Sequence, residues 1–236
     1  MKKTILIVAW WLVATTAAMA CDVCSAASDL NETGLLAALR HHYLSLSWVR
    51  EHSLSERPFG ADIEDAFDRL SLQGRFFLTD RWSVGFDQRF STGTRTQGTL
   101  VSRHSGPGDL WLQSGYRYLN LRLACNLQIM AEGVASLRLP TGRYEANLEE
   151  TQGLPRAFNP GRGSWAGRMQ HRLALRYGAW GLFQHVAWTH AAATADGYRF
   201  GDSFQASALL YHTFKPRTLT INPWLGGIYE HIAADR

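Results

Sequence analysis

Between Phe67 and Tyr177 the chain repeats one pattern five times: a stretch of strand length with all its charge on one parity and none on the other. The uncharged parity runs Leu70, Leu72, Gly74, Phe76; then Trp82 to Phe90; then Leu110 to Tyr118; then Leu123 to Leu137; then Met169 to Tyr177, taking alternate residues. None of these 27 positions is Asp, Glu, Lys or Arg, although 19% of the chain is charged. The interleaved positions hold Arg69, Arg75, Asp87, Arg89, Asp109, Arg117, Arg122, Glu132, Arg138, Arg168, Arg172 and Arg176. A period of two is the signature of a β-strand, whose successive side chains point to opposite faces.

The same signal predicts nine strands, near 42–51, 66–77, 82–91, 108–118, 121–138, 168–177, 180–190, 202–214 and 218–230. Their connections alternate. Residues 78–81, 119–120, 178–179 and 215–217 are tight turns, whereas 52–65, 92–107, 139–167 and 191–201 are long and rich in Gly, Pro, Thr and Asn. Alternating short turns and long loops belong to an up-and-down antiparallel transmembrane β-barrel, whose periplasmic turns are short and whose outer loops grow freely. Strands of about ten residues suffice to cross a bilayer when tilted. Aromatic residues at the ends of the apolar rows (Phe76, Trp82, Phe90, Tyr116, Tyr118, Tyr177) stand where interfacial girdles form. The apolar face is therefore expected to meet lipid and the arginines to line a lumen. The alternative orientation, apolar face inward, describes a soluble periplasmic β-barrel or sandwich that binds a ligand. Nine strands is an odd number for a bacterial barrel, and the last residues lack a closing amphipathic strand, so the sequence reads as a C-terminally truncated barrel of about twelve.

Residues 1–20 read as a secretory signal peptide: Lys2 and Lys3, an apolar stretch, then Ala18-Met19-Ala20 before the cleavage point. Residues 21–41 form a lead-in, and 42–236 the barrel. Removing the two lysines lowers the formal charge from +4 to +2 and leaves Lys215 as the sole lysine. No basic cluster suits a nucleic acid. The expected partners are outer-membrane lipid, the barrel assembly machinery and a small-molecule solute.

The lead-in opens Cys21-Asp22-Val23-Cys24. Cys21 and Cys24 fit a local disulfide in an oxidising compartment, a lipidation site at Cys21, or two ligands for a soft metal ion such as copper or zinc, with His41 and His42 nearby. One such pair supplies half of a closed zinc site, and no other cofactor is expected. Cys125 lies on the apolar parity and reads as a small hydrophobe. No enzyme is expected: His171, His185, His190 and His212 are scattered, with Ser203 and Ser207 near two of them, and no G-x-S-x-G occurs.

Leu139-Pro140-Thr141-Gly142-Arg143-Tyr144, followed by Asn159-Pro160-Gly161-Arg162-Gly163-Ser164-Trp165, resembles a Gram-negative outer-membrane family labelled as transporters or phenol-degradation-pathway proteins. Gly106-Pro107-Gly108-Asp109-Leu110, Asp196 to Asp202 and the N-terminal Cys pair also match it. The resemblance implies an outer-membrane barrel that moves small molecules and brings no catalytic residues. Three functions are consistent with these readings: a small-solute channel with an Arg-rich lumen, a metal-handling outer-membrane protein, or the soluble binder. An arginine-lined lumen favours anions, unless the same residues pair internally and hold a narrow barrel shut.

Overall fold

The computed structural model describes residues 42–55, 62–123, 126–214 and 223–235. Residues 1–41 and Cys125, with the signal peptide, Cys21, Cys24 and His41, lie outside the described residues.

One antiparallel sheet makes up nearly all of it. Its strands are β1 (Tyr43–Ser55), β2 (Ile63–Phe77), β3 (Trp82–Gln97), β4 (Leu100–Pro107), β5 (Leu110–Arg122), β6 (Leu127–Leu139), β7 (Ala166–Tyr177), β8 (Trp180–Ala191), β9 (Ser203–His212) and β10 (Trp224–Ile232). The order is β1-β2-β3-β5-β6-β7-β8-β9-β10, each strand beside its predecessor, with β4 on the distal half of β3. Between β6 and β7 a long connection carries a one-turn helix, α1 (Leu148–Gln152), and a 3-10 turn at Arg156–Phe158. The architecture is the expected all-β meander, a curled sheet that forms part of a barrel wall.

Ten strands form nine staves. β3 pairs β5 along its proximal half, Trp82↔Tyr116 to Asp87↔Trp111, and β4 along its distal half, Phe90↔Pro107 to Gln97↔Leu100. Thus β4 and β5 act as one long strand broken at Gly108-Asp109. This corrects the reading of 92–107 as a loop. Thr92, Thr94 and Thr96 alternate with Ser91, Gly93 and Arg95, a strand with no apolar face. A hydrophobic period cannot detect such a strand, although β-branched threonines favour it. The hairpin turns at Gly98, whose φ of 58° suits glycine. Strands β1 and β2 likewise extend into the expected linker 52–65.

The two faces separate as the parity demands. On the convex face Leu70, Leu72, Phe76, Trp82, Val84, Phe90, Leu112, Leu137, Met169, Trp180 and Trp188 are exposed. On the concave face Gln73, Arg75, Ser83, Asp87, Arg117, Glu132, Arg138, Gln170, Arg172, His185 and Ser207 are buried. A soluble protein buries its large apolar residues and leaves charge outside; this molecule does the reverse. One register shift interrupts the pattern: at a bulge between Arg117 and Leu119 the β5 residues opposite β6's odd-numbered apolar set change from even (Leu110, Leu112, Tyr116) to odd (Leu119, Leu121).

Candidate functional site

The concave face is layered along the barrel axis. Nearest the tight turns lies an apolar layer, with Phe183 and Leu209 packed against Ala174. Above it one continuous cross-strand row runs Arg117 on β5, Glu132 on β6, Arg172 on β7, His185 on β8 and Ser207 on β9. All five are buried. Glu132 sits between two arginines by register, and a third reaches it from β2: Arg75 pairs with Glu132 and donates to Ser83 Oγ at 2.9 Å. Arg172 stands 4.0 Å from Glu132 and donates to Gln170 Oε1 at 2.7 Å. Arg117 donates to the Asp80 carbonyl at 3.3 Å, and both Arg75 and Arg117 lie over the Phe77 ring.

Gly115 makes this cluster possible. A Cβ there would fall 2.7 Å from both Glu132 Oε1 and Ser83 Oγ, and 3.3 Å from Arg75 Nη2. The missing side chain leaves the volume that the carboxylate and guanidinium fill. The result is a dense layer of ion pairs on the concave face, a septum between the apolar layer and the residues above it.

Above the septum the interior opens into a cavity of about 260 Å³. Its walls include Arg69 from β2, Arg89 from β3, Arg138 from β6, Arg168 from β7 and Arg162 from the β6–β7 connection. Trp111 lies between two of these, 5.6 Å from the Arg138 guanidinium carbon and 4.4 Å from that of Arg168. Asp87 pairs with Arg89 at 2.8 Å, Asp109 with Arg138 at 3.6 Å, and Arg168 donates to Thr189 at 3.0 Å.

The β6–β7 connection folds inward over this cavity. Leu148, Leu154 and Phe158 bury themselves against Phe67. Phe158 meets Phe67 with tilted rings, centroids 4.7 Å apart, and lies under the Arg95 guanidinium, which is itself held by Asp65 through two bonds of 2.7 and 2.6 Å. Three Gly-containing motifs meet at one point. Asp109 accepts the Gly142 N–H at 3.0 Å and the Arg162 N–H at 2.7 Å. A Cβ on Gly142 would lie 2.6 Å from the Gly108 carbonyl carbon, and one on Gly161 would lie 2.8 Å from the Asp109 carboxylate. Asp109 is thus the staple that holds the connection in the lumen, and the glycines let three backbones touch there.

The outer loops are tied by a second network. Arg156 bridges Asp196 at 2.8 Å, Thr194 bonds both Asp196 and the Tyr198 carbonyl, and Tyr198 donates its hydroxyl to Asp235. Burial, then the bond to Asp235 and its negative charge, push the Tyr198 hydroxyl up to about 12. Thr194's hydrogen bond and Arg156 hold the Asp196 carboxyl below its ordinary range.

The twelve sequence-selected residues therefore divide. Arg75, Arg117, Glu132 and Arg172 meet in the septum; Arg69, Arg89, Asp109, Arg138 and Arg168 surround the cavity; Asp87 is buried beside Arg89. Arg122 and Arg176 are exposed at the tight-turn end, where Arg176 donates to the Gly178 carbonyl at 3.2 Å. The parity of the strands missed Arg162, Phe158 and Phe200, because they come from loops and carry no period. Among the histidines, His171 bonds Tyr118 on the convex face and His190 bonds Asp202 at 3.0 Å, while His185 is interior, opposite Ser207. Among the described residues no group of three His, Cys, Asp or Glu side chains is placed to hold a metal ion.

No family model matches the chain, and no curated protein sequence matches it. A solved structure does: the crystal structure of an outer membrane channel from Pseudomonas putida aligns with a TM-score of 0.54, over 80% of this chain and 73% of that one, at 19% identity. At that identity the likeness is one of fold, and the fold is that of an outer-membrane β-barrel.

Proposed function

We propose that the protein is an outer-membrane β-barrel channel for small solutes with an arginine-rich lumen. The observation that carries this reading is the inversion of the sheet: large apolar side chains exposed on the convex face and ion-paired arginines buried on the concave one. On β3 the exposed band runs from Trp82 to Phe90 and on β8 from Trp180 to Trp188. Eight residue steps span about 27 Å along a strand, enough for a tilted crossing. Outward-facing charge begins just beyond it, with the Arg50–Asp68 pair at 3.5 Å above Trp48 and Leu70. The likeness to an outer membrane channel and the loop motifs shared with the phenol-degradation-pathway proteins support the same reading. A soluble binder would put this apolar band in water, where it would drive aggregation.

Two measurements test it. Cell fractionation is expected to place the protein in the outer membrane as a heat-modifiable band. The purified protein in planar bilayers is expected to pass small currents whose reversal potential in a salt gradient favours anions. A soluble periplasmic product, or bilayers that stay silent at every protein concentration, would refute the proposal.

A further inference from the structure

The cavity above the septum has guanidinium groups that no carboxylate meets among the described residues. Its wall acids are already engaged. Asp109 accepts two backbone N–H groups and faces Arg138; Asp235 accepts the Gly201 N–H at 2.7 Å and the Tyr198 hydroxyl; Asp68 pairs with Arg50. Glu230, on the β10 side, holds an interaction of its own. Two guanidinium groups on this wall, Arg69 and Arg162, have no carboxylate within 4.0 Å among the described residues.

These two arginines are placed, not loose. Arg69 projects inward from β2, paired in register with Val49 and Ser91. Arg162 hangs from a backbone N–H fixed on Asp109, and its guanidinium lies 4.4 Å from the centre of the Phe200 ring. Arg162 lines the cavity and is exposed there. Desolvation is the largest influence and lowers its hold on its proton; Asp235, Tyr198 and Asp109 pull the other way, and Arg69 adds a smaller lowering. Like charges held together, one of them on an aromatic ring, form a site whose electrostatic cost falls when an anion arrives. The fixed backbone means that little ordering remains to be done on binding.

We propose that Arg69 and Arg162 form a binding site for a small organic carboxylate in the vestibule of the channel, a reading that rests on the channel function above. The planar fork of arginine matches a carboxylate through two parallel N–H···O bonds. The volume, about 260 Å³, is below the range of pockets that hold drug-sized ligands, ~300–1,000 Å³, so the solute is small. Phe200 and Trp111 give its carbon skeleton an apolar wall. In the septum below, Glu132 already fills the space between Arg75 and Arg172, so a carboxylate solute meets open guanidinium forks only in the layer above it.

The test is equilibrium dialysis of the full-length protein in detergent with radiolabelled succinate, with parallel arms for inorganic phosphate and neutral succinamide. Succinate is expected to bind at low salt, at least tenfold tighter than phosphate, with succinamide unbound. Arg69→Gln and Arg162→Gln are each expected to weaken succinate tenfold or more, and Arg162→Lys, which keeps the charge but loses the fork, to fall between. Arg176→Gln, at the far end, is expected to bind as wild type does. Heat-modifiability of each variant verifies folding. Phosphate binding as tightly as succinate would overturn the carboxylate assignment, and equal binding by wild type and both Gln variants would overturn the site. Binding without any bilayer current would overturn the channel reading and leave the site standing. Current without binding would do the opposite.

Discussion

Asp109 shows how much one side chain organises. It accepts from Gly142 and Arg162 backbones and faces Arg138, so it is at once an ion-pair partner and the anchor of an inserted loop. A hydrogen bond to a charged group contributes about 1.5–3 kcal/mol, and removing one partner of a buried pair leaves the other uncompensated. Asp109→Ala is therefore expected to destabilise the protein by roughly 3–5 kcal/mol, read as a lower urea midpoint in refolding into lipid. It should also make 140–165 newly sensitive to protease. Asp109→Asn keeps one acceptor oxygen and is expected to lose less. The sequence marks Gly108, Gly142 and Gly161 as turn residues, and that much is legible from type alone. It does not show that the three turns meet, because their separation along the chain is long and each turn is complete without the others. At the outer network the sign of a pH effect follows from Tyr198. Its ionisation, pushed up to about 12, means the Tyr198–Asp235 bond contributes fully below the ordinary tyrosine value of about 10 and is lost as pH climbs toward 12. An ultraviolet titration is expected to show one tyrosine ionising near 12 that disappears in Tyr198→Phe; an unchanged curve would refute the assignment.

At the scale of the strand, parity decides cost. Leu112 and Gln113 are neighbours on β5, the first 44% exposed on the convex face and the second turned inward against Gly85. Leu112→Arg puts a guanidinium into hydrocarbon near the middle of the band, at about 2–4 kcal/mol. Gln113→Ala is expected to cost under half of that. Refolding into lipid vesicles of the two variants, compared by urea titration, measures the difference; equal losses would mean that the convex face does not meet acyl chains. Strands with one apolar and one polar face, β2, β3 up to Phe90, β5, β6 and β7, were visible in the sequence because their convex and concave faces differ in polarity at every step. The distal half of β3 and all of β4 were not: inward positions such as Gly93 and Arg95 meet Phe158 of the inserted connection, the outward ones on β3 are threonines, and no apolar–polar alternation marks them. The facing of β8 and β9 was less legible: their inward positions include Phe183 and Leu209, apolar residues packed against Ala174 near the tight turns. The one residue that shifts the whole pattern, the bulge at Tyr118, leaves only a change of parity between adjacent strands.

At the scale of the molecule the interior is asymmetric. One carboxylate, Glu132, offsets Arg75 and Arg172 directly and lies beside Arg117 by register, and the room for it depends on Gly115 having no side chain. Composition left open whether the arginines line a lumen or pair with carboxylates; among the described residues Arg75 and Arg172 meet Glu132 in one layer, and Arg69, Arg89, Arg138, Arg162 and Arg168 line the cavity above it. Arginines in the septum are buried and paired, whereas those above it face the cavity. If the barrel conducts as proposed, the Glu132 layer is the expected constriction. Replacing Glu132 with Ala removes the one negative charge and opens space beside Gly115. The expected outcome is a larger single-channel conductance and a stronger anion preference than wild type, together with a stability loss of roughly 3–5 kcal/mol from the uncompensated arginines. Gly115→Ala acts on the same layer without changing its charge, by driving Glu132 and Arg75 apart. It is expected to destabilise the septum and to raise conductance with the anion preference little altered. If Glu132→Ala and Gly115→Ala both conduct as wild type does, ions do not cross this layer, and the path through the barrel must avoid the row from Arg117 to Ser207.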